Sequence, residues 1–349
     1  MPRSIRLVPL RWYAVALAGL GSAACGRSEL REIPLDGGIL RMAIVETAAS
    51  SAHDGWMFHR IGGLLGPGSL AHWDGTTLTP VMLPATAQAN GIAAVGPDHI
   101  VVGGVTVYEV EGRAAPVDIT AQTSGAARFL VAGRGDGTVY AAGGTVVLRR
   151  RAGETAFAQI APTPGGLREF VVAGTDRLVG IGDGNGTIAN TFYHFDGTTW
   201  RASNVTRTGQ AVSAADENDV WAMPMPNSSG GVPLNVLSWD GTSWSTVNIT
   251  VTEEQRGTVM PTLTLQGVVA LGGGRAGVVV RRDWASAPPY RQILWITGAR
   301  GTSLSRQTVV KVYCQMDRCT DGGDFAGRPT LAVDGTLFVG PYYGAVPRE

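Results

Sequence analysis

Two neighbouring stretches bring together side chains suited to recognising another molecule. Arg281, Arg282, Asp283, Trp284, Tyr290 and Arg291 share one segment, and Cys314, Asp317, Arg318, Cys319, Asp321 and Asp324 share the next. Guanidinium groups beside indole and phenol rings are typical of protein-contact hot spots, because they bury flat area and still donate hydrogen bonds. Arg281, Arg282, Trp284, Tyr290, Arg291 and Arg318 are therefore the ligand-binding candidates, for a protein or a glycan. Asp317, Asp321 and Asp324 offer oxygen ligands beside flexible glycines, the pattern that suits Ca²⁺. A plain solvated loop is the competing reading of the second stretch.

Residues arranged for covalent or hydrolytic chemistry are not found. The chain has no His-Glu-x-x-His, no Gly-x-Ser-x-Gly, no Walker-type loop and no Cys/His cluster at zinc spacing. His53, His59, His72, His99 and His194 do not form a spaced set. His72 and His194 each precede an Asp-Gly pair by two residues and read as strand positions, not as a metal pair. Asp183-Gly184-Asn185-Gly186 lacks the downstream acid of a calcium loop, and Arg134-Gly135-Asp136 falls on an expected turn. Arg149-Arg150-Arg151 reads as a solvated outer edge. A formal net charge of zero removes the electrostatic case for nucleic acid.

The elements that carry these residues repeat. Ser238-Trp239-Asp240-Gly241-Thr242-Ser243-Trp244, His194-Phe195-Asp196-Gly197-Thr198-Thr199-Trp200 and His72-Trp73-Asp74-Gly75-Thr76-Thr77-Leu78 are copies of one phrase, and weaker copies centre on Gly37, Gly112, Gly153 and Gly298. Asp-Gly is a preferred hairpin turn, because Gly accepts positive φ and Asp bonds nearby N–H groups. Trp200 and Trp244 occupy one outer-strand position and are expected to pack between repeats. Upstream of each copy a second hairpin is expected, as at Ala214–Met223. Two hairpins every ~40 residues predict four-stranded blades, and seven copies predict an all-β, seven-bladed β-propeller, with six or eight blades as alternatives. Ring closure is expected from N-terminal strands c and d (33–45) pairing with C-terminal strands a and b (329–342). Connections at 62–68, 224–233, 251–257, 281–291 and 313–327 are long and share one face, which is where function usually resides. Entry of the chain into strand c near Glu32 would put the N-terminus on that same face, turned toward a membrane.

The Asp-Val-Trp-Ala (219–222) … Trp-Asp-Gly-Thr-Ser-Trp (239–244) pattern resembles the kelch-like and related propeller repeats of many bacterial exported proteins. That resemblance implies a fold and no single activity. The phrase is also similar to the Asp-box of sialidases but lacks the residue between Asp and Gly. A quinone-dependent propeller would need a Trp-containing repeat of another kind. At the N-terminus, Arg3, Arg6 and Arg11, an apolar run from Trp12 to Leu20 and Ser22-Ala23-Ala24-Cys25 resemble a bacterial lipoprotein signal, which implies lipidation of Cys25. Ser22 stands where that signal usually has Leu, so simple secretion is the alternative. Export leaves Cys314 and Cys319 as a disulfide pair. The expected organisation is a signal peptide at 1–24, an anchor linker at 25–31 and one propeller at 32–349. The expected role is a non-enzymatic binding or scaffolding module, held on the outer membrane by its lipid. A carbohydrate-active glycosidase or lyase with its site at the centre of the long-loop face is the alternative.

Overall fold

The computed structural model describes residues 31–33, 44–60, 68–84, 87–123, 129–144, 146–163, 166–182, 191–205, 209–224, 234–252, 260–284, 290–313, 329–332, 334–339 and 342–345. Within them the strands pair into seven four-stranded antiparallel sheets. Blade 1 runs from β2 (Ile44–Ser51) through β3 (Asp54–Arg60) and β4 (Gly68–Trp73) to β5 (Leu78–Met82). Blade 2 runs from β6 (Ala89–Gly96) to β9 (Val117–Asp118), and blade 3 from β10 (Leu130–Gly133) to β13 (Ala158–Pro162). Blade 4 runs from β14 (Leu167–Gly174) to β17 (Trp200–Asn204), and blade 5 from β18 (Gly209–Asp216) to β21 (Trp244–Asn248). Blade 6 runs from β22 (Thr262–Gly272) through β23 (Arg275–Trp284) and β24 (Tyr290–Ala299) to β25 (Arg306–Tyr313). The first strands of successive blades touch in turn, and β26 (Thr330–Leu331) touches both β22 and β2. The sheets therefore close into a seven-bladed propeller.

Closure is made by one N-terminal strand and three C-terminal strands, not by two and two. β26, β27 (Thr336–Val339) and β28 (Tyr342–Ala345) supply strands a, b and c, and β1 (Arg31–Glu32) adds strand d, with Arg31 opposite Tyr343. Tyr342-Tyr343-Gly344-Ala345 continues past the inner hairpin and takes the place expected for the N-terminal strand c. Ile44–Ser51, part of which was assigned to that N-terminal hairpin, is strand a of blade 1. Strand d starts at the face that carries the a–b and c–d turns. The chain thus enters the ring on the short-turn face, opposite to the long-loop face expected from the sequence.

The repeated phrase forms the c–d turns. Gly75, Gly197 and Gly241 have φ of 91°, 94° and 97°, which an L side chain rarely adopts. At Asp240, Oδ1 accepts the backbone N–H groups of Thr242 and Ser243, both at 2.8 Å, and the Thr242 hydroxyl at 2.7 Å. Asp74 and Asp196 make the same set of bonds. These donors, led by Thr77 at Asp74, Thr199 at Asp196 and Thr242 at Asp240, hold all three carboxyls well below the usual carboxylate range.

The core is divided among the seams between blades. Each of seven apolar clusters draws on two adjacent sheets, as Trp221, Val236 and Val247 of blade 5 do with Val278, Leu294 and Ile296 of blade 6. Trp200 and Trp244 pack as expected between repeats: Trp200 Nε1 donates to Pro162 O at 3.0 Å and Trp244 Nε1 to Ser203 Oγ at 3.0 Å, each in the preceding blade. At the closing seam, Phe338 and Ile33 are buried against Met57, Ala71 and Trp73. Gly55 leaves room there, since a Cβ on it would lie 2.5 Å from the Phe338 ring. Phe338→Ala should cost about 3–5 kcal/mol of stability by opening a cavity at the point of closure, as measured by denaturant unfolding. A cost under about 1 kcal/mol would mean that this seam does not hold the ring.

Candidate functional site

The seven first strands enclose a central cavity of about 540 Å³. Its wall is mostly Ala, Val and Gly, with Glu46, Glu169, Arg134 and Asp136 among the polar residues. The polar groups stitch one blade to the next. Glu46 Oε2 accepts the N–H of Ile92 at 3.0 Å, and Glu169 Oε1 accepts the N–H of Val212 at 2.9 Å. Ser213 Oγ accepts the N–H of Ala270 at 3.0 Å, and Thr47 and Thr330 bond across the closing seam at 3.0 Å. A bulge in the a–b pairing just before Glu46 and Glu169 lets these side chains reach sideways. A Cβ on Gly91 would lie 2.8 Å from the Glu46 carboxylate, which would then have to shift. At the short-turn end, Arg134 Nη2 donates to Ala215 O of blade 5 at 3.2 Å.

The same short-turn face carries a series of charged contacts between blades. Arg149 of blade 3, opposite Tyr140 in the b–c register, donates to Asp176 of the blade 4 turn at 2.6 Å. Burial works against ionisation of Asp176, yet hydrogen bonds from Arg149 and Tyr140 keep its carboxyl below its ordinary value. Burial pushes the Tyr140 phenol up to about 12. Arg177 pairs with Glu217 at 2.8 Å between blades 4 and 5, and Arg300 with Asp219 at 3.1 Å between blades 5 and 6. Between blades 2 and 3 a cavity of about 710 Å³ is lined by His99, Glu109, Asp136 and Arg150. Glu109 lies there between His99, at 2.6 Å, and the Arg150 guanidinium. Arg150 is therefore a buried seam cation and Arg149 a half-buried one, which corrects the expectation of a solvated edge for these two, while Arg151 stays exposed.

Between blades 1 and 2 the contact has another composition. His72, opposite Trp56 in the b–c register, has Nε2 2.8 Å from Asp54 Oδ1 and 3.1 Å from Asp98 Oδ1. The side chains of His72 and Asp54 are each 5% exposed, and that of Asp98 is 61% exposed. Asp54 Oδ2 accepts the Ser50 hydroxyl at 2.5 Å, and the Trp56 ring stacks on the imidazole with centroids 4.2 Å apart. Among the described residues this is the one group of three whose chemistry suits a metal ion. His72 and His194 lie on strands, as expected, and His72 meets two carboxylates that are distant from it in sequence. The three residues come from a strand start, a strand middle and the next blade's turn, so no local spacing announces them. His194, at the matching position of blade 4, packs against Trp239 with centroids 4.3 Å apart and the rings tilted by 30°, and burial lowers its pKa to about 4.

The residues singled out from the sequence are placed differently from one another. The segment expected as a long loop at 281–291 is mostly strand. β22, β23 and β24 have 11, 10 and 10 residues, so blade 6 is taller than its neighbours on the long-loop face. Arg282 and Trp284 are each only 1% exposed and so do not form a surface for a partner. The Arg282 guanidinium lies 5.4 Å from the Trp284 ring centroid and donates to Thr252 O at 2.5 Å, fastening the blade 5–6 connection. Arg281 Nε donates to Asp283 at 2.8 Å, and both are half-buried. Tyr290 and Arg291 lie on β24, where the chain course alone is described. Cys25, Cys314, Asp317, Arg318, Cys319, Asp321 and Asp324 lie outside the described residues, and with them the lipid, disulfide and Ca²⁺ expectations.

The Glu109 contact makes a pH dependence. The His99 hydrogen bond, with Arg150 behind it, lowers the Glu109 carboxyl from 4.5 to about 2, against the opposing effect of burial. A carboxylate whose pKa falls on folding stabilises the fold above its unfolded value, and that contribution is lost as pH falls from about 4.5 toward 2. Thermal unfolding from pH 6 to pH 2 should show a smaller acid-induced drop in Tm for Glu109→Gln than for the parent. Parallel curves would contradict the assignment.

No family model matches the chain, and no curated protein matches it. Solved structures do. YCF48 bound to D1 peptide matches with a TM-score of 0.52 at 12% identity, covering 92% of this chain and 93% of that one. A catalytically inactive virginiamycin B lyase from Staphylococcus aureus with quinupristin matches with a TM-score of 0.53 at 9% identity, covering 90% and 98%. The mitotic checkpoint complex contributes a match with a TM-score of 0.51 at 11% identity, covering 100% and 97%. At these identities the likeness shows a shared propeller fold, on which both binding proteins and a lyase are built.

Proposed function

We propose that this chain is a lipid-anchored, extracytoplasmic propeller that works as a non-enzymatic binding module, receiving a protein segment at the long-loop mouth of its channel. The observation that carries this reading is the engagement of Glu46 and Glu169 by the backbone of the next blade. A general acid or base must exchange a proton with its substrate. A carboxylate oxygen that accepts a backbone N–H in the ring is held in place by the fold, which favours a structural role for Glu46 and Glu169. The rest of the wall is mostly Ala, Val and Gly, which suits apolar contact. A propeller of the same fold, YCF48, holds a peptide, so the scaffold is compatible with such a ligand.

The anchor fits this orientation. Five residues separate Cys25 from Arg31, where β1 begins on the short-turn face, so the reach is roughly 20 Å. A lipid at Cys25 tethers that face and leaves the channel mouth and the tall blade 6 pointing away from the membrane. The lyase among the structural neighbours favours the second reading, an enzyme, which requires a channel carboxylate to act on substrate.

Purified protein screened against a peptide display library should bind selected peptides saturably. Val171→Trp, which narrows the middle of the channel, should weaken that binding by tenfold or more. Incubation with streptogramin-type depsipeptides or oligosaccharides should give no turnover. Turnover that Glu169→Gln abolishes without lowering Tm would overturn the reading. The anchor is checked separately: Cys25→Ala should move the protein from the membrane to the soluble fraction.

A further inference from the structure

We propose that Asp54, His72 and Asp98 form a binding site for a divalent transition metal of the zinc class, which fastens blade 1 to blade 2. Their ligand atoms all lie within 4.8 Å of one another, and both carboxylate oxygens approach the same imidazole nitrogen. One Nε2 carries at most one hydrogen, so it cannot direct a good hydrogen bond at two carboxylates at once. A metal with N and O bonds of about 2.0–2.2 Å sets neighbouring ligand atoms about 3.3 Å apart in a tetrahedron, close to the separations seen here. Two carboxylates with one imidazole suit Zn²⁺ or Co²⁺ better than Ca²⁺, which prefers an all-oxygen shell. The exposed side of Asp98 leaves a coordination position open to water.

Comparison with the other seams supplies an independent reason. Asp219-Val220-Trp221 of blade 5 matches Asp54-Gly55-Trp56 of blade 1, each starting strand b. In blade 5, Trp221 Nε1 donates to Asp219 at 2.8 Å, and Arg300 supplies the balancing charge. In blade 1, Trp56 is 1% exposed and its Nε1 makes no hydrogen bond among the described residues. Its Asp54 points instead to His72 and is held by Ser50, as an outer hydrogen bond orients a metal ligand. The charge balance differs in the same way. Asp176 faces Arg149 and Arg151, and Glu109 faces Arg150 and His99. Asp54 and Asp98 share a single imidazole, and a dication restores the balance that arginines give elsewhere.

The test uses the full-length chain, stripped of metal by chelator and titrated with Zn²⁺ by calorimetry, then with Co²⁺ by visible absorption. One equivalent of Zn²⁺ should bind and raise Tm, and Co²⁺ should show the d–d bands of a low-coordinate site. Asp98→Asn, which changes an exposed turn residue, should weaken Zn²⁺ by thirtyfold or more while leaving the metal-free Tm nearly unchanged. His72→Arg places at this seam the side chain that Arg149 places between blades 3 and 4, so it should fold with a Tm indifferent to Zn²⁺ and chelator. Failure of the folded parent to bind an equivalent of Zn²⁺, or Zn²⁺ binding that Asp98→Asn and His72→Arg leave intact, would overturn the proposal.

Discussion

The seam between one blade and the next is the interaction on which the rest of the structure depends. A four-stranded sheet in a ring must bury both faces, and its first strand sits where seven neighbours crowd together. Small residues line that position, so little apolar area is available close to the axis. Polar side chains make up the difference by accepting backbone N–H groups one blade further on, as Glu46, Glu169 and Ser213 do. A buried backbone donor left without such an acceptor costs on the order of 1–3 kcal/mol. The stitches therefore help set the ring, and they also decide what its channel can do.

Structure and function meet in that consequence. The channel carboxylates Glu46 and Glu169 each accept a backbone N–H from the next blade. The short-turn face repeats the theme with ion pairs in place of backbone bonds, and the blade 1–2 seam is its exception. Where four other seams set an arginine against a carboxylate, this one sets a histidine between two aspartates. A fold that solves one problem several times allows such comparisons within a single chain, since each blade serves as a control for the others.

Much of the architecture was legible because it is written at fixed spacing. The glycine beat marked the c–d turns at Gly75, Gly112, Gly153, Gly197 and Gly241, all at the positive φ that glycine takes easily, whereas Gly298 lies within β24 and Gly37 lies outside the described residues. Trp200 and Trp244 announced inter-blade packing by their shared position. Ring closure was legible in kind but not in its strand count, because Tyr342-Tyr343-Gly344-Ala345 is too short to read as a strand on its own. The burial of Arg282 and Trp284 was not legible for a related reason. Arg282 and Trp284 have the composition of a contact surface, yet the strands of blade 6 extend through them and turn both inward. The seam clusters were hardest to see, since His72 and Arg149 do the same job with different chemistry and their partners lie in other repeats.

Hydrogen exchange of individual amides tests the central claim most directly, since it reads the stitches themselves. In the native state the amides of Ile92, Val212 and Ala270 should exchange as slowly as the best-protected amides of the inner sheets. Glu169→Ala should accelerate Val212 selectively and leave Ile92 and Ala270 unchanged. If Val212 exchanges as fast as the exposed turn amides in the parent, or is indifferent to Glu169→Ala, the channel carboxylates are not committed to the ring, and the case against catalysis falls with that result.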